Sequence, residues 1–230
     1  MISLGDGIEG LFSIPRGEAS LILSDLPSGE TQAAFDTPPN LRMLWHACWQ
    51  ALKPDGVVVF MASSLEFAFR LTRSTPYFRY DMIWHKSAAS GFLNSKTRPL
   101  RSHEFVLVFF REQGTYVPQM TEVGQPINAA KRKGGGENYG YVEGGESRAG
   151  ATDRYPRSVL TFASVGTSSK LRTHPQQKPE PLLRHLIRTY SNTEELVVDP
   201  YAGSGSTGQA ALAEGRKFLG WDSDPRFAPR

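Results

Sequence analysis

Near the carboxyl end, Leu196-Val197-Val198 runs into Asp199-Pro200-Tyr201-Ala202-Gly203-Ser204-Gly205-Ser206-Thr207-Gly208, and no other stretch narrows the fold so far. The short apolar run reads as a buried strand. The glycines read as a turn in which backbone bends sharply and approaches a ligand, and Gly208 to Ala213 as a helix leaving it. A phosphate-binding loop would need Gly-Lys-Ser/Thr, and no lysine follows until Lys217. Gly203, Gly205 and Gly208 do match the G-x-G-x-x-G spacing of dinucleotide turns, which keeps a nicotinamide-dependent oxidoreductase as one reading. Against it stands Asp199, because a carboxylate at the strand end repels a pyrophosphate.

Further apolar runs at Ser20 to Leu23, Val57 to Met61, Phe105 to Phe110 and Phe218 to Trp221 suit a sheet covered on both faces. Between them, Leu41, Leu44, Trp45, Cys48, Trp49 and Leu52 form a helical stripe that ends at Lys53-Pro54-Asp55-Gly56. Pro181 to Tyr190 reads as a second helix. Alternating strands and helices predict an α/β fold, with Tyr80 to Trp84 and Phe105 to Phe110 as an antiparallel edge pair. Residues 112 to 155 break the pattern with glycines and little apolar periodicity, so they are expected to form an irregular insertion. A length of 230 residues with 39% hydrophobic content supports one core plus that insertion. The single cysteine, Cys48, rules out an internal disulfide framework and a multi-thiolate zinc site. With no signal-peptide pattern and no run of 18 apolar residues, the expected setting is the cytoplasm, with no membrane association.

Asp222, after the strand Lys217 to Trp221, can accept both hydroxyls of a ribose, while Asp199 can bind an ammonium. An amino acid joined to adenosine, S-adenosylmethionine, meets both demands. Thr173-His174-Pro175-Gln176-Gln177-Lys178-Pro179, about twenty residues of helix, and then Asp199 to Thr207 resemble the paired blocks of the amino-methylating DNA methyltransferases. The order matches the permuted group, whose acceptor half precedes the cofactor half. Gly215-Arg216 and Gly220-Trp221-Asp222 continue the likeness, as do Gly5-Asp6, Ser24-Asp25-Leu26-Pro27-Ser28-Gly29, Leu52 to Val59, Trp84-His85-Lys86 and His103-Glu104-Phe105. The resemblance implies a Rossmann-like α/β methyltransferase fold, with a mostly parallel seven-stranded sheet and one antiparallel strand. It implies a single domain, with an acceptor half at about 1–111, target recognition at about 112–157 and a cofactor half at about 158–230. Ile2 to Leu4 should lie beside the last strand, with the usual intervening helix reduced to a stub at most.

The resemblance also implies methyl transfer from S-adenosylmethionine to an exocyclic amine of a base flipped out of double-stranded DNA. In that chemistry Asp25 and the Leu26 carbonyl accept the two amine hydrogens and Pro27 stiffens the turn. Ser28 stands where the family has an aromatic residue, so another ring, Phe92 or Trp84, is expected to stack on the base. Asp25, rather than serine, leans the reading towards adenine N6. Cytosine N4 is the alternative, and a homologue that binds DNA and cofactor with weakened catalysis is another. The implied cofactor site comprises Asp6, Asp25, Lys178, Asp199, Pro200, Tyr201, Gly203, Ser204, Gly205 and Asp222, with no metal. Between residues 79 and 111 six basic residues face two acidic ones, which suits phosphate binding through Lys86, Lys96, Arg98 and Arg101. Lys131, Arg132 and Lys133 would add contacts from the insertion. A homodimer and a companion restriction endonuclease are the further partners implied.

Overall fold

The structure, a computed structural model, describes residues 1–32, 36–126, 148–165 and 177–226. The chain forms two compact units, Met1–Val117 with Ser158–Arg230, and Pro118–Arg157. In chain order the first unit contains β1 (Ile2–Leu4), α1 (Gly7–Ser13), β2 (Ala19–Asp25), α2 (Leu41–Ala51), β3 (Leu52–Ala62), α3 (Leu65–Arg73), β4 (Phe78–Ser90), a 3₁₀ turn (Phe92–Asn94) and β5 (Arg101–Phe109). The second unit contributes β6 (Thr121–Glu122) and β7 (Asp153–Arg154), which pair antiparallel. The first unit resumes with β8 (Val159–Phe162), α4 (Glu180–Tyr190), β9 (Leu196–Asp199), α5 (Ser206–Ala213) and β10 (Lys217–Asp222).

The main sheet has the order β1-β10-β9-β2-β3-β5-β4-β8. Every neighbouring pair is parallel except the two that involve β5, so β5 is the one antiparallel strand expected. Alternation along the central strands divides the core into two layers. Leu21, Leu23, Val57, Val59 and Met61 pack with Leu182, Leu183, Leu186 and Ile187 of α4 and with Ala210 and Ala211 of α5. Ile22, Val58, Phe60 and Val198 face the other way, against Leu11 of α1, Leu44, Trp45 and Cys48 of α2, and Phe67 and Leu71 of α3. Both faces are therefore covered, as continuous apolar strands require.

Three expectations are corrected. The sheet has eight strands rather than seven, because β8 adds to β4 in register Ile83↔Val159 to Lys86↔Phe162. For the same reason β4 and β5 are an antiparallel pair inside the sheet and not at its edge. Leu160 is buried and the Trp84 indole donates to the Phe162 carbonyl at 3.0 Å, which fixes this four-residue strand. The second unit begins at Pro118 rather than 112: the Thr115 and Val117 amides bond the Asp55 and Thr189 carbonyls of the first unit. As expected, β1 lies beside β10, Ile2 opposite Gly220 and Leu4 opposite Asp222. Among the described residues no helix is long and apolar enough to cross a membrane.

Candidate active site

Because β2, β3, β9 and β10 are parallel, their carboxyl ends meet at one edge of the sheet, where open α/β sheets hold their ligands. A pocket opens there, lined by Asp25, Pro27, Met61, Lys178, Asp199, Tyr201, Gly203, Ser204, Thr207 and Asp222, among others. The glycine turn closes one side. Gly203 at φ +48° and Gly205 at φ +78° take the left-handed conformation that glycine adopts without a steric cost, and a Cβ on Gly203 would meet nothing within 4 Å. The Gly203 amide donates to Asp222 Oδ2 at 2.8 Å, and Asp222 Oδ1 accepts from the Asp224 amide at 2.8 Å. Asp199 is buried, and its Oδ1 accepts from Ser24 Oγ at 2.6 Å and from the Tyr201 amide at 3.0 Å. Burial pushes its carboxyl up to about 6, against the hydrogen bonds from Ser24, Thr207 and Tyr201 that favour the anion.

Asp25, the last residue of β2, is held by Lys178, whose Nζ lies 2.6 Å from Oδ2. The same ammonium is 3.0 Å from Glu104 Oε2, and Glu104 Oε1 is 3.1 Å from Lys86 Nζ. The Trp84 ring lies beneath both lysines, its centroid 6.0 Å from Lys178 Nζ and 5.8 Å from Lys86 Nζ. Burial raises the Asp25 carboxyl; Lys178 opposes that rise while Glu104 and Asp36 add to it. For Glu104, burial works in the same direction but Lys178 and Lys86 outweigh it, leaving the carboxyl below its ordinary range. After Asp25 the chain turns around a buried carboxylate: Asp36 Oδ1 accepts from the Ser28 and Gly29 amides at 2.6 and 2.9 Å, and Oδ2 from the Thr31 amide at 2.7 Å. Asp25, Asp36, Asp199, Asp222 and Asp224 face the pocket, with Lys178 as the sole basic residue among the described lining. Such a field favours a cationic ligand and disfavours a pyrophosphate, which removes the ground for the oxidoreductase reading.

The family described as DNA methylase, the N6/N4 methyltransferases, matches residues 32–229. The chain belongs to this family. The DNA adenine methyltransferase YhdJ of Escherichia coli K12 is 27% identical over 236 residues, covering 97% of this chain and 78% of that protein. The Type II methyltransferase M.HpaI of Haemophilus parainfluenzae is 24% identical, covering 96% and 69%. Among solved structures, the M1.HpyAVI–SAM complex superposes with a TM-score of 0.64 at 20% identity, over 99% of this chain and 94% of that one. The cytosine-N4-specific PvuII DNA methyltransferase gives 0.66 at 18% identity, over 97% and 82%. These two likenesses speak for the fold.

In this DNA methylase the pocket gathers Asp25, Pro27, Lys178, Asp199, Tyr201, Gly203, Ser204 and Asp222. It does not gather Asp6, Pro200 or Gly205. Asp6 is exposed and caps α1, its Oδ1 accepting from the Ile8 and Glu9 amides. Pro200 is buried, and Gly205 forms the amino-terminal cap of α5. Leu26 is also buried, which pins the backbone after Asp25. Trp84 is 3% exposed and belongs to the core, so it presents no face to a base. Lys86 is committed to Glu104 with a side chain only 10% exposed, which removes it from the phosphate-binding set. Phe92, by contrast, is 73% exposed on the 3₁₀ turn. A polar groove beside the Asp36-anchored turn is lined by Ser28, Gly29, Arg70, Gly91, Arg98 and Arg101, among others. Lys96 is exposed on the same β4–β5 connection, and Arg101 donates to the Ser63 carbonyl. Lys131, Arg132, Lys133 and residues 173–176 lie outside the described residues.

Sequence reasoning missed Asp36 and Arg70. Asp36 sits in no periodic pattern, so nothing local marks it. Arg70 lies on α3, whose apolar residues Leu65, Phe67, Phe69 and Leu71 blur the stripe because Leu65 and Phe69 are exposed. The helix α1 carried a usable signal, since Asp6 followed by Glu9 has capping-box spacing.

Proposed function

We propose that this chain transfers a methyl group from S-adenosylmethionine to the exocyclic amine of a flipped-out base in double-stranded DNA, with adenine N6 as the target. The observation that carries the reading is the convergence of Asp25 and the Asp199–Gly205 turn on one acidic pocket. The lining fits the cofactor: Asp199 offers a carboxylate for its ammonium, Asp222 for its ribose hydroxyls, and Gly203 leaves room where any side chain would intrude. When bound, the cofactor supplies an electrophilic methyl group on a sulfonium. The protein's part is to prepare the amine. An exocyclic amine is a weak nucleophile because its lone pair is delocalised into the ring, and two acceptors for its hydrogens favour the tetrahedral, nucleophilic form. Asp25 supplies one acceptor and the Leu26 carbonyl the other, both held by β2 and the Asp36-anchored turn. Positioning then accounts for much of the acceleration. Pro118–Arg157 is the proposed recognition segment, and a second copy of the chain and a companion restriction endonuclease are the further partners that this reading carries.

The test is to incubate the protein with labelled cofactor and duplex DNA, then digest to nucleosides. N6-methyldeoxyadenosine is expected. Label in N4-methyldeoxycytidine would move the target to cytosine, and unlabelled DNA would leave the weakened binding homologue as the reading.

Phe92 is the proposed stacking ring, since it is exposed and follows Gly91, which lines the same groove as Ser28, while the alternative, Trp84, is buried. Stacking on one base is worth about 1–3 kcal/mol, so Phe92→Ala is expected to weaken DNA binding roughly 5- to 150-fold. Fluorescence anisotropy on labelled duplex reads this directly; an unchanged affinity would take Phe92 out of the interface.

A further inference from the structure

Asp25, Lys178, Glu104 and Lys86 come from four separated places in the sequence and form a chain of alternating charge, with contacts of 2.6, 3.0 and 3.1 Å, of which Asp25 and Lys178 line the pocket. Their side chains are 28%, 12%, 11% and 10% exposed in that order. Charges so removed from water are tolerated only when paired on several sides. The reversed strand β5 makes the arrangement feasible, because its antiparallel course brings Glu104, near its start, to the edge where the parallel strands end.

The geometry points to Lys178 and Glu104 as positioning residues for Asp25: Glu104, anchored by Lys86, fixes the Lys178 ammonium, and Lys178 grips Asp25 Oδ2 so that Oδ1 is offered to the target amine. This rests on the proposed role of Asp25 as amine acceptor. Both ends of the bridge matter. Without Glu104 the ammonium would belong to Asp25 alone, and the tighter ion pair would weaken that carboxylate as an acceptor. Without Lys178, Asp25 would face Glu104, Asp36 and Asp199 with no cation between them and would take up a proton.

The two losses therefore shift Asp25 in opposite directions, which a merely structural role would not do. The experiment follows the Asp25 carboxyl carbon by NMR across pH in the full chain, in wild type, Lys178→Met, Lys178→Arg and Glu104→Gln. Expected is a midpoint raised by about one pH unit or more in Lys178→Met, lowered in Glu104→Gln and close to wild type in Lys178→Arg. The acid limb of the methyl-transfer rate is expected to move in the same directions. A midpoint unmoved in both Glu104→Gln and Lys178→Met, or moved the same way in both, overturns the inference. If Lys178→Met does not fold, the downward shift in Glu104→Gln decides alone. Because the titration needs no turnover, a wild-type protein that methylates no DNA would remove the proposed reaction while the coupling of the four charges is still read.

Discussion

Asp25→Ala is expected to lower the methyl-transfer rate by on the order of 10²- to 10³-fold, the usual cost of removing one preorganised polar contact to the reacting group. The fold should survive, because Lys178 keeps Glu104 as a partner at 3.0 Å and no buried cation is stranded. A buried charge left alone would instead cost several kcal/mol and confuse loss of chemistry with loss of structure. Single-turnover incorporation of labelled methyl, with thermal unfolding measured on the same preparations, separates the two. Equal rates for wild type and variant would take Asp25 out of the chemistry.

Gly7→Ala is the substitution expected to damage the structure most. A Cβ at Gly7 would stand 1.9 Å from the Pro200 carbonyl oxygen and 2.8 Å from its carbon. Those are backbone atoms and cannot rotate away, so either α1 or the Asp199–Gly205 turn must shift. Overpacking of this kind costs about 3 kcal/mol, equivalent to roughly 6–12 °C in melting temperature for a chain of this size. Cofactor affinity, read by calorimetry, is expected to fall with it, since Pro200 opens the turn that closes the pocket. Gly17→Ala is the control: φ is +75° there but nothing lies within 4 Å of the added carbon, so only the backbone penalty of about 1 kcal/mol applies. Similar losses in both variants would contradict the close-approach argument.

The parts of this fold that could be read from sequence are those whose signal is local. Leu21 to Leu23, Val57 to Met61 and Val197-Val198 are continuous apolar runs and became central strands; the Leu44–Trp45–Cys48 stripe became α2, ending as expected before Lys53. The glycine turn was legible because few other residues fit it. What escaped depends on register between distant segments. Trp84 looks the same in sequence whether it stacks on a base or fills a core; its place beside β8, in the core cluster and under Lys86 and Lys178, follows from the tertiary fold. Lys86 counts as a basic residue until β4 and β5 align and place Glu104 within reach. Asp6 and Pro200 occupy motif positions next to the pocket-lining residues, yet one caps a helix and the other packs close to Gly7 of α1. Neighbourhood in a motif is not the same as access to a pocket.

The middle of the sheet pairs β2 with β9, and the Ser24–Asp199 hydrogen bond spans 175 positions of chain. On a ribosome adding about 5–20 residues per second, Asp25 therefore emerges roughly 10–35 s before its neighbour strand exists. During that interval β2 and β3 present an unpaired apolar edge, a template for unwanted association. The pocket is thus assembled only once β9 has been made, and the protection of that waiting edge falls to whatever meets the nascent chain.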